Sequence, residues 1–282
     1  MTYFKLLIFS KSFYLRLIRY IFLNAFNKKL ASPEYSGEYN LISNYIKTSK
    51  INSLVLFDIG AFNGDWTHFV LNAIKKNKKQ YKSILLFEPS LSPFMRLLDK
   101  FKNFNKLHVY QKIVHHYQKK NIKFFVFDSY SGTSSIFNFD KSYQSLLKID
   151  STTIDNVIKA NKFNKINFIK CDTEGNDLNV IYGAKKSLVD KKIDIFQFEY
   201  NFRWIYCSKS LFNLFNFLID NSLDYKFGII KKKYIEIYDE WHPSLEDYIE
   251  CNAVLICNSY HALDFMIRPM KFDKYNLPIT NK

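Results

Sequence analysis

The chain has 282 residues, 48% hydrophobic and 24% charged, which suits one large α/β domain with a substantial core and argues against two full domains. Its net charge is +15, but by count 36 of the 41 basic residues are Lys and only five are Arg (16, 19, 96, 203 and 268). A nucleic-acid surface uses Arg more heavily, for bidentate phosphate and base contacts, so the charge reads first as a composition bias shared with Asn, Ile, Phe and Tyr. A weak attraction to anionic membrane or acidic glycans stays open.

Residues 1–30 are apolar but interrupted by Lys5, Lys11, Arg16 and Arg19. No uncharged run approaches the ~18 residues of a membrane span, and no signal-peptide core or cleavage site is present. Lys5, Ser12, Arg16 and Arg19 fall on one helical face. Such a helix either packs on the domain or a partner subunit, or lies on a membrane surface as a peripheral contact. Ser32–Gly37 breaks it, and 40–50 reads as a short helix. Strand–helix alternation follows. Strands are predicted over 54–59, 83–88, 107–114, 122–127, 166–171, 193–199, 225–230, 234–238 and 253–257. Helices are predicted over 65–76, 92–102, 153–161, 176–188 and 208–221. The strands 107–114 and 122–127 would form a hairpin whose polar turn carries His115 and His116 as surface residues. The proline-interrupted tail from Ser259 reads as loop.

Alternation of this kind implies a mostly parallel sheet with helices on both faces. The link Lys231-Lys232-Lys233 is too short for a crossover, so the late strands should pair antiparallel. The expected division is a helical segment over 1–50, an α/β domain over 51–258 and a tail over 259–282. Cysteines 171, 207, 251 and 257 form no CxxC pair, which points to free thiols in a reducing cytoplasm.

Only seven glycines are present, and four of them (60, 64, 175 and 183) follow buried-looking strands in two clusters. The first cluster is Leu54–Gly64, LVLFDIGAFNG. A strand feeding a Gly loop and then a helix is how an open parallel sheet cradles a nucleotide-like ligand. The loop has GxxxG and lacks the middle glycine of the pyrophosphate fingerprint, so a nucleoside without a phosphate chain is the better fit. Asp58 ends the strand where it could face an ammonium or sulfonium, and bare N–H groups around Ala61–Gly64 could hold a carboxylate. Glu88 ends the second strand in FEPS, where a carboxylate can accept ribose hydroxyls. S-adenosylmethionine has all of these parts. For Asp58 and Glu88 the bland alternative is a helix cap and a surface carboxylate.

The second cluster is Lys170-Cys171-Asp172-Thr173-Glu174-Gly175-Asn176-Asp177. Asp172 comes directly off a strand end beside the expected crevice, and Glu174 follows. Helix capping accounts for Asp177 and could account for Glu174, but explains Asp172 less well.

FDIGAFNGDWT, FEPS, SGTSS (131–135), STTID (151–155) and IKCDTEGNDLNVIYGA (169–184), in that order, resemble the FkbM-type methyltransferase family. The resemblance covers about residues 51–200, and its KxDxEGxxxxxxxGA pattern is the most telling part. It implies a Rossmann-like class I methyltransferase fold with a seven-stranded sheet, mostly parallel with an antiparallel edge. It also implies S-adenosylmethionine as donor and, usually, O-methylation of a sugar or other small metabolite. Asp58, Gly60, Gly64 and Glu88 fall on the family's cofactor positions, and Asp172 and Glu174 on its KxDxEG motif. Phe62 departs from the Asn often found there.

The cofactor set expected is Asp58, Gly60, Ala61, Phe62, Asn63, Gly64, Thr67, Glu88, Pro89, Ser90 and Asp172. In-line displacement needs alignment and a base for the hydroxyl proton. Asp172 is the first choice for that base, then Glu174 or Glu199. Two close acids could instead hold a divalent cation, although no metal site is assigned. Ser134 and Ser135 are candidates for cofactor or lid contacts. Arg203, Trp204, Tyr206, Trp241 and His242 are candidates for an acceptor pocket. Two other readings stay open: a nucleic-acid (RNA) methyltransferase, which the absence of an Asn/Asp-Pro-Pro-Tyr/Phe motif weighs against, and a non-catalytic accessory protein at a membrane surface.

Overall fold

Burial of both faces explains why the central strands read as apolar runs rather than alternating patterns. Six of the seven residues of Ser53–Ile59 are buried, and all six of Ile166–Cys171. The computed structural model describes residues 36–127, 134–139 and 143–281, with Phe13, Tyr14, Arg16, Leu17 and Tyr20, all five helical. Most of the helix expected over 1–30 lies outside the described residues.

In chain order, α1 (Glu38–Thr48) leads to β1 (Ser53–Ile59), α2 (Asp65–Lys76), β2 (Gln80–Phe87), α3 (Leu91–Lys100) and β3 (Leu107–Tyr110). Then come β4 (Ile113–Val114), β5 (Ile122–Val126), β6 (Ser145–Ile149), β7 (Ser151–Thr152), α4 (Ile154–Ala160) and β8 (Ile166–Cys171). The next elements are α5 (Asp177–Tyr182), α6 (Lys185–Val189), β9 (Ile193–Tyr200), α7 (Arg203–Tyr206), α8 (Leu211–Asp220) and β10 (Tyr225–Ile230). The last are β11 (Ile235–Tyr238), β12 (Cys251–Cys257), β13 (Ile267–Phe272) and β14 (Pro278–Thr280).

The main sheet runs β14-β13-β11-β10-β12-β9-β8-β1-β2-β3. Strands β3, β2, β1, β8 and β9 are mutually parallel, and β12 inserts antiparallel between β9 and β10. The sheet therefore has ten strands, where the resemblance implied seven. The extra strands sit at one edge. The short link after β10 forces β11 to return antiparallel, as its length predicted. The tail, read as loop for its prolines, supplies β13 and β14. Proline is tolerated at a strand's first residue and near a sheet edge: Pro278 opens the edge strand, and the Pro269 carbonyl accepts from Asn281.

Apolar side chains of β1, β8 and β9 alternate between two cores. Val55, Phe57, Ile169 and Phe196 pack with α4, α5, α6 and α8. Leu54, Leu56, Phe168 and Ile195 pack with α1, α2 and α3.

Three local expectations are corrected. The run 107–114 does not form a hairpin with 122–127; it splits at Gln111-Lys112. β3 stays beside β2, β4 leaves to pair in parallel with β7, and β5 pairs antiparallel with β6. His115 is buried rather than on the surface, its N–H donating to the Thr152 carbonyl. Burial, with His116 next to it, pushes the His115 pKa down to about 3. The helix expected over 176–188 breaks into α5 and α6 at Gly183, where a Cβ would stand 2.2 Å from the His115 carbonyl oxygen.

Candidate active site

The chain leaves β1 toward β2 and β3 on one side and returns to β8 and β9 on the other. The loops after β1, β2 and β8 therefore converge at the carboxyl edge, the usual ligand position in open α/β sheets. A cleft opens there, with about 580 Å³ of empty space when its open mouth is included. Gly60, Phe62, Glu88, Pro89, Ser90, Asp172 and Glu174 line it, as does Ser134.

Glu88 is the best-fixed polar group on its wall. The carboxylate accepts from the Phe62 N–H through Oε2 (2.9 Å) and from the Ser90 N–H through Oε1 (2.8 Å), so it ties the first loop to the second. Burial raises its pKa, and the two N–H bonds oppose the rise. Each oxygen keeps a second lone pair for an incoming hydroxyl.

The bare main chain expected at Ala61–Gly64 is largely committed. The N–H groups of Gly60 and Ala61 both donate to the Phe87 carbonyl, that of Phe62 to Glu88, and that of Gly64 to Ala61. The loop is held by β2 rather than left open for a carboxylate. Phe62 has φ +46, a left-handed conformation in which Asn is several-fold enriched. That accounts physically for the Asn common in the family. Asn63 faces α3: its Oδ1 accepts from Arg96 Nε (3.0 Å) and its carbonyl from Lys100 Nζ (2.7 Å).

Asp58 and Thr67 do not reach the cleft wall. Both are fully buried, and Thr67 Oγ1 donates to Asp58 Oδ2 at 2.6 Å. Alternation along β1 points Asp58 to the α1–α2 face, opposite Val55, Phe57 and Ile59. It joins Glu38, Lys170 and Gln197 there, and burial raises its pKa. Burial likewise pushes Glu38 up to about 7. A carboxyl whose folded pKa is raised gives stability below its unfolded value that is lost as pH rises through the folded one. Glu38→Gln should therefore gain stability relative to wild type between pH 5 and pH 8. Paired thermal melts at the two values check this; an unchanged difference in Tm contradicts it.

The loop after β8 is strapped from several sides. Asp177 accepts from the Thr173 N–H (3.2 Å) and the Gly175 N–H (3.3 Å), so it ties the loop rather than capping α5, whose N-cap position is Asn176. Burial, then the Asp172 charge, pushes its pKa up to about 7. Ser135 Oγ donates to the Glu174 carbonyl, and Cys207 Sγ to that of Gly175. Glu174 has φ +53, and Arg203 Nη1 lies 2.6 Å from its Oε2 as an ion pair without hydrogen-bond alignment. Burial and the nearby Asp172 charge raise the pKa of Glu174 and of Glu199. Glu199 is half-buried, accepts from Asn201 Nδ2 (2.6 Å) and is not among the residues lining the cleft. Asp172 lines the cleft with its side chain 40% exposed, and its Oδ2 accepts from Lys170 Nζ at 3.2 Å. Among the described residues no group of three His, Cys, Asp or Glu side chains is placed to hold a metal.

Sequence reasoning missed the apolar wall, which comes from Phe87, Pro93, Ile113, Val114, Phe124 and Ile136. Its signal was hidden by reading 107–114 as one strand; Asn176 Nδ2 holds the departing segment through the Val114 carbonyl (2.8 Å). Of the acceptor candidates, Arg203 reaches the site through Glu174, and Tyr206, 59% exposed, packs edge-on against Phe139 beside it. Trp204 is fully buried. Trp241 and His242 stand elsewhere, on Glu246 and Phe272.

Residues 58–227 match the methyltransferase FkbM domain. The chain belongs to that family. An FkbM methyltransferase from Methylobacillus flagellatus KT is similar in structure, at 19% identity and a TM-score of 0.46. That match covers 74% of this FkbM-family chain and 44% of the other, so the chain spans less than half its length. M. capricolum TrmK, solved with S-adenosyl-homocysteine, matches at 12% identity over 79% of this chain and 69% of its own, with a TM-score of 0.39. An rRNA methylase from Streptococcus thermophilus matches at 8% identity over 77% and 94%, with a TM-score of 0.40. No curated protein matches by sequence. Among the described residues no helix is long and apolar enough to cross a membrane.

Proposed function

We propose that the chain transfers a methyl group from S-adenosylmethionine to a hydroxyl oxygen of a sugar, glycan or other small metabolite. The observation that carries this is Glu88, a buried carboxylate on the cleft wall whose two oxygens are aimed by the Phe62 and Ser90 N–H groups. The other lining residues fit the same donor. Glu88 would hold the ribose hydroxyls, the wall of Pro89, Ile113, Val114, Phe124 and Ile136 suits a flat base, and Asp172 and Glu174 suit a cationic centre. When bound, the donor supplies an electrophilic methyl group on a positively charged sulfur.

The chain's own task is then positional and protolytic. The rigid β1–α2 and β2–α3 loops fix the site, and the apolar wall keeps water out. Asp172 Oδ1, the oxygen not engaged by Lys170, takes the proton of the acceptor hydroxyl. Glu174 stands beside it, held by Arg203.

The net charge of +15 favours a polyanionic acceptor such as RNA. The cleft mouth argues the other way, since Asp172 would repel phosphates.

Glu88→Ala is expected to weaken donor binding by about tenfold or more, the loss of charge-assisted hydrogen bonds worth about 1.5–3 kcal/mol. Thermal melts at millimolar S-adenosylmethionine should show a clear rise in Tm for wild type and a smaller one for the variant. Equal rises would remove Glu88 from the site. Labelled methyl transfer into separated carbohydrate, lipid and RNA fractions of host cells identifies the acceptor; label confined to RNA would overturn the assignment to sugars and metabolites.

A further inference from the structure

Strand β8 contains a lysine where the fold asks for an apolar residue. Lys170 is 8% exposed, in a strand buried along its whole length. A buried ammonium is costly unless it is paired, and an apolar side chain there would avoid the cost. The sheet register puts Lys170 between Asp58 of β1 and Gln197 of β9. The groups facing it come from every neighbouring element: Glu38 of α1, Asp58 of β1, Gln197 of β9, and Asp172 just beyond its own strand. Thr67 of α2 bonds Asp58, and Asn252 of β12 accepts from Gln197.

These partners are not equivalent. Glu38 and Asp58 give Lys170 negative charge on the buried side. Among the described residues Asp58 Oδ1 and Gln197 Oε1, both buried, have no hydrogen-bond partner, although both residues flank the lysine directly. The ammonium instead bonds Asp172 Oδ2 at 3.2 Å. Asp172 follows the strand end, its side chain is 40% exposed, and Lys170 is the side chain that meets its carboxylate. Burial works against the lysine's charge, but Asp172, Glu38 and Asp58 outweigh it and hold Lys170 firmly protonated.

We propose that Lys170 is a positioning residue: its buried ammonium, steadied from below by Glu38 and Asp58, holds the Asp172 carboxylate at the cleft rim with one oxygen free for the acceptor hydroxyl. This rests on the reading of Asp172 as the proton acceptor. A purely structural lysine, present only to neutralise buried acids, would affect folding and would act regardless of what stands at 172.

A double-mutant cycle separates these roles. Initial rates of labelled methyl transfer from S-adenosylmethionine into the carbohydrate fraction of host cells are measured with the full chain, alongside calorimetric Kd for the donor. Lys170→Met should lower kcat by about tenfold or more while donor Kd stays within about threefold, and Lys170→Arg should recover most of the rate. In the Asp172→Asn background, Lys170→Met should cost less than about twofold. An equal loss in both backgrounds, or Arg no better than Met, overturns the proposal while leaving the reading of Asp172 standing. Full turnover in Asp172→Asn alone removes that reading and the proposal together. Should Lys170→Met not fold, Lys170→Gln replaces it. Crystal structures of the folded variants give a readout that needs no acceptor: the Asp172 side chain should leave its rotamer, and an unmoved carboxylate contradicts the role.

Discussion

Gly60→Ala is expected to melt roughly 5–15 °C below wild type and to lose donor binding. Gly60 has φ +77, and a Cβ there would stand 1.8 Å from the Asp172 carbonyl oxygen. That neighbour is backbone and cannot rotate away, because the Asp172 N–H is itself bonded to the Ile59 carbonyl. A left-handed non-glycine residue costs about 1–2 kcal/mol and forced overpacking about 1–3, and each kcal/mol moves the Tm of a chain this size by about 2–4 °C. Moving the loop aside would also pull Phe62 from Glu88, so stability and binding should fall together. A thermal melt with and without S-adenosylmethionine checks both; a wild-type Tm with intact ligand response would show that the loops after β1 and β8 do not touch as described.

Asp172→Asn should cost about 10²–10⁴ in turnover, or roughly 3–5 kcal/mol of barrier, with donor affinity within a few-fold of wild type. The amide keeps the size and can still accept from Lys170, but it cannot take a proton. The side chain stands at the rim rather than under the donor's expected seat at Glu88, which is why binding and turnover should separate. Steady-state rates and calorimetry on the same preparation decide it: a variant that transfers methyl at the wild-type rate excludes Asp172 as base and passes the role to Glu174.

The order of central elements was legible because β1, β8 and β9 are covered on both faces and must be apolar throughout. The cleft was legible for the same reason: loops following such strands can only emerge at the carboxyl edge, and Glu88 and Asp172 each follow one. What depended on a neighbour was not legible. Asp58 looks like a ligand contact in the sequence, but β-alternation turns it toward Thr67 and away from the cleft. The N–H groups of the first loop look bare until β2 brings the Phe87 carbonyl and Glu88 beside them. β6 is a largely exposed SLLKI with no alternation to betray it, and the prolines that suggested a loose tail sit where an edge permits them. Phe62 was visible as a departure from the family pattern, but only its left-handed backbone explains why Asn is common there.

A crystal structure with S-adenosylhomocysteine tests the central claim most directly. The account predicts the nucleoside in the cleft between the loops after β1 and β2, its ribose hydroxyls donating to Glu88 and its sulfur on the side of Asp172. A nucleoside seated elsewhere, or Glu88 still bonded only to Phe62 and Ser90 at saturating ligand, would contradict it.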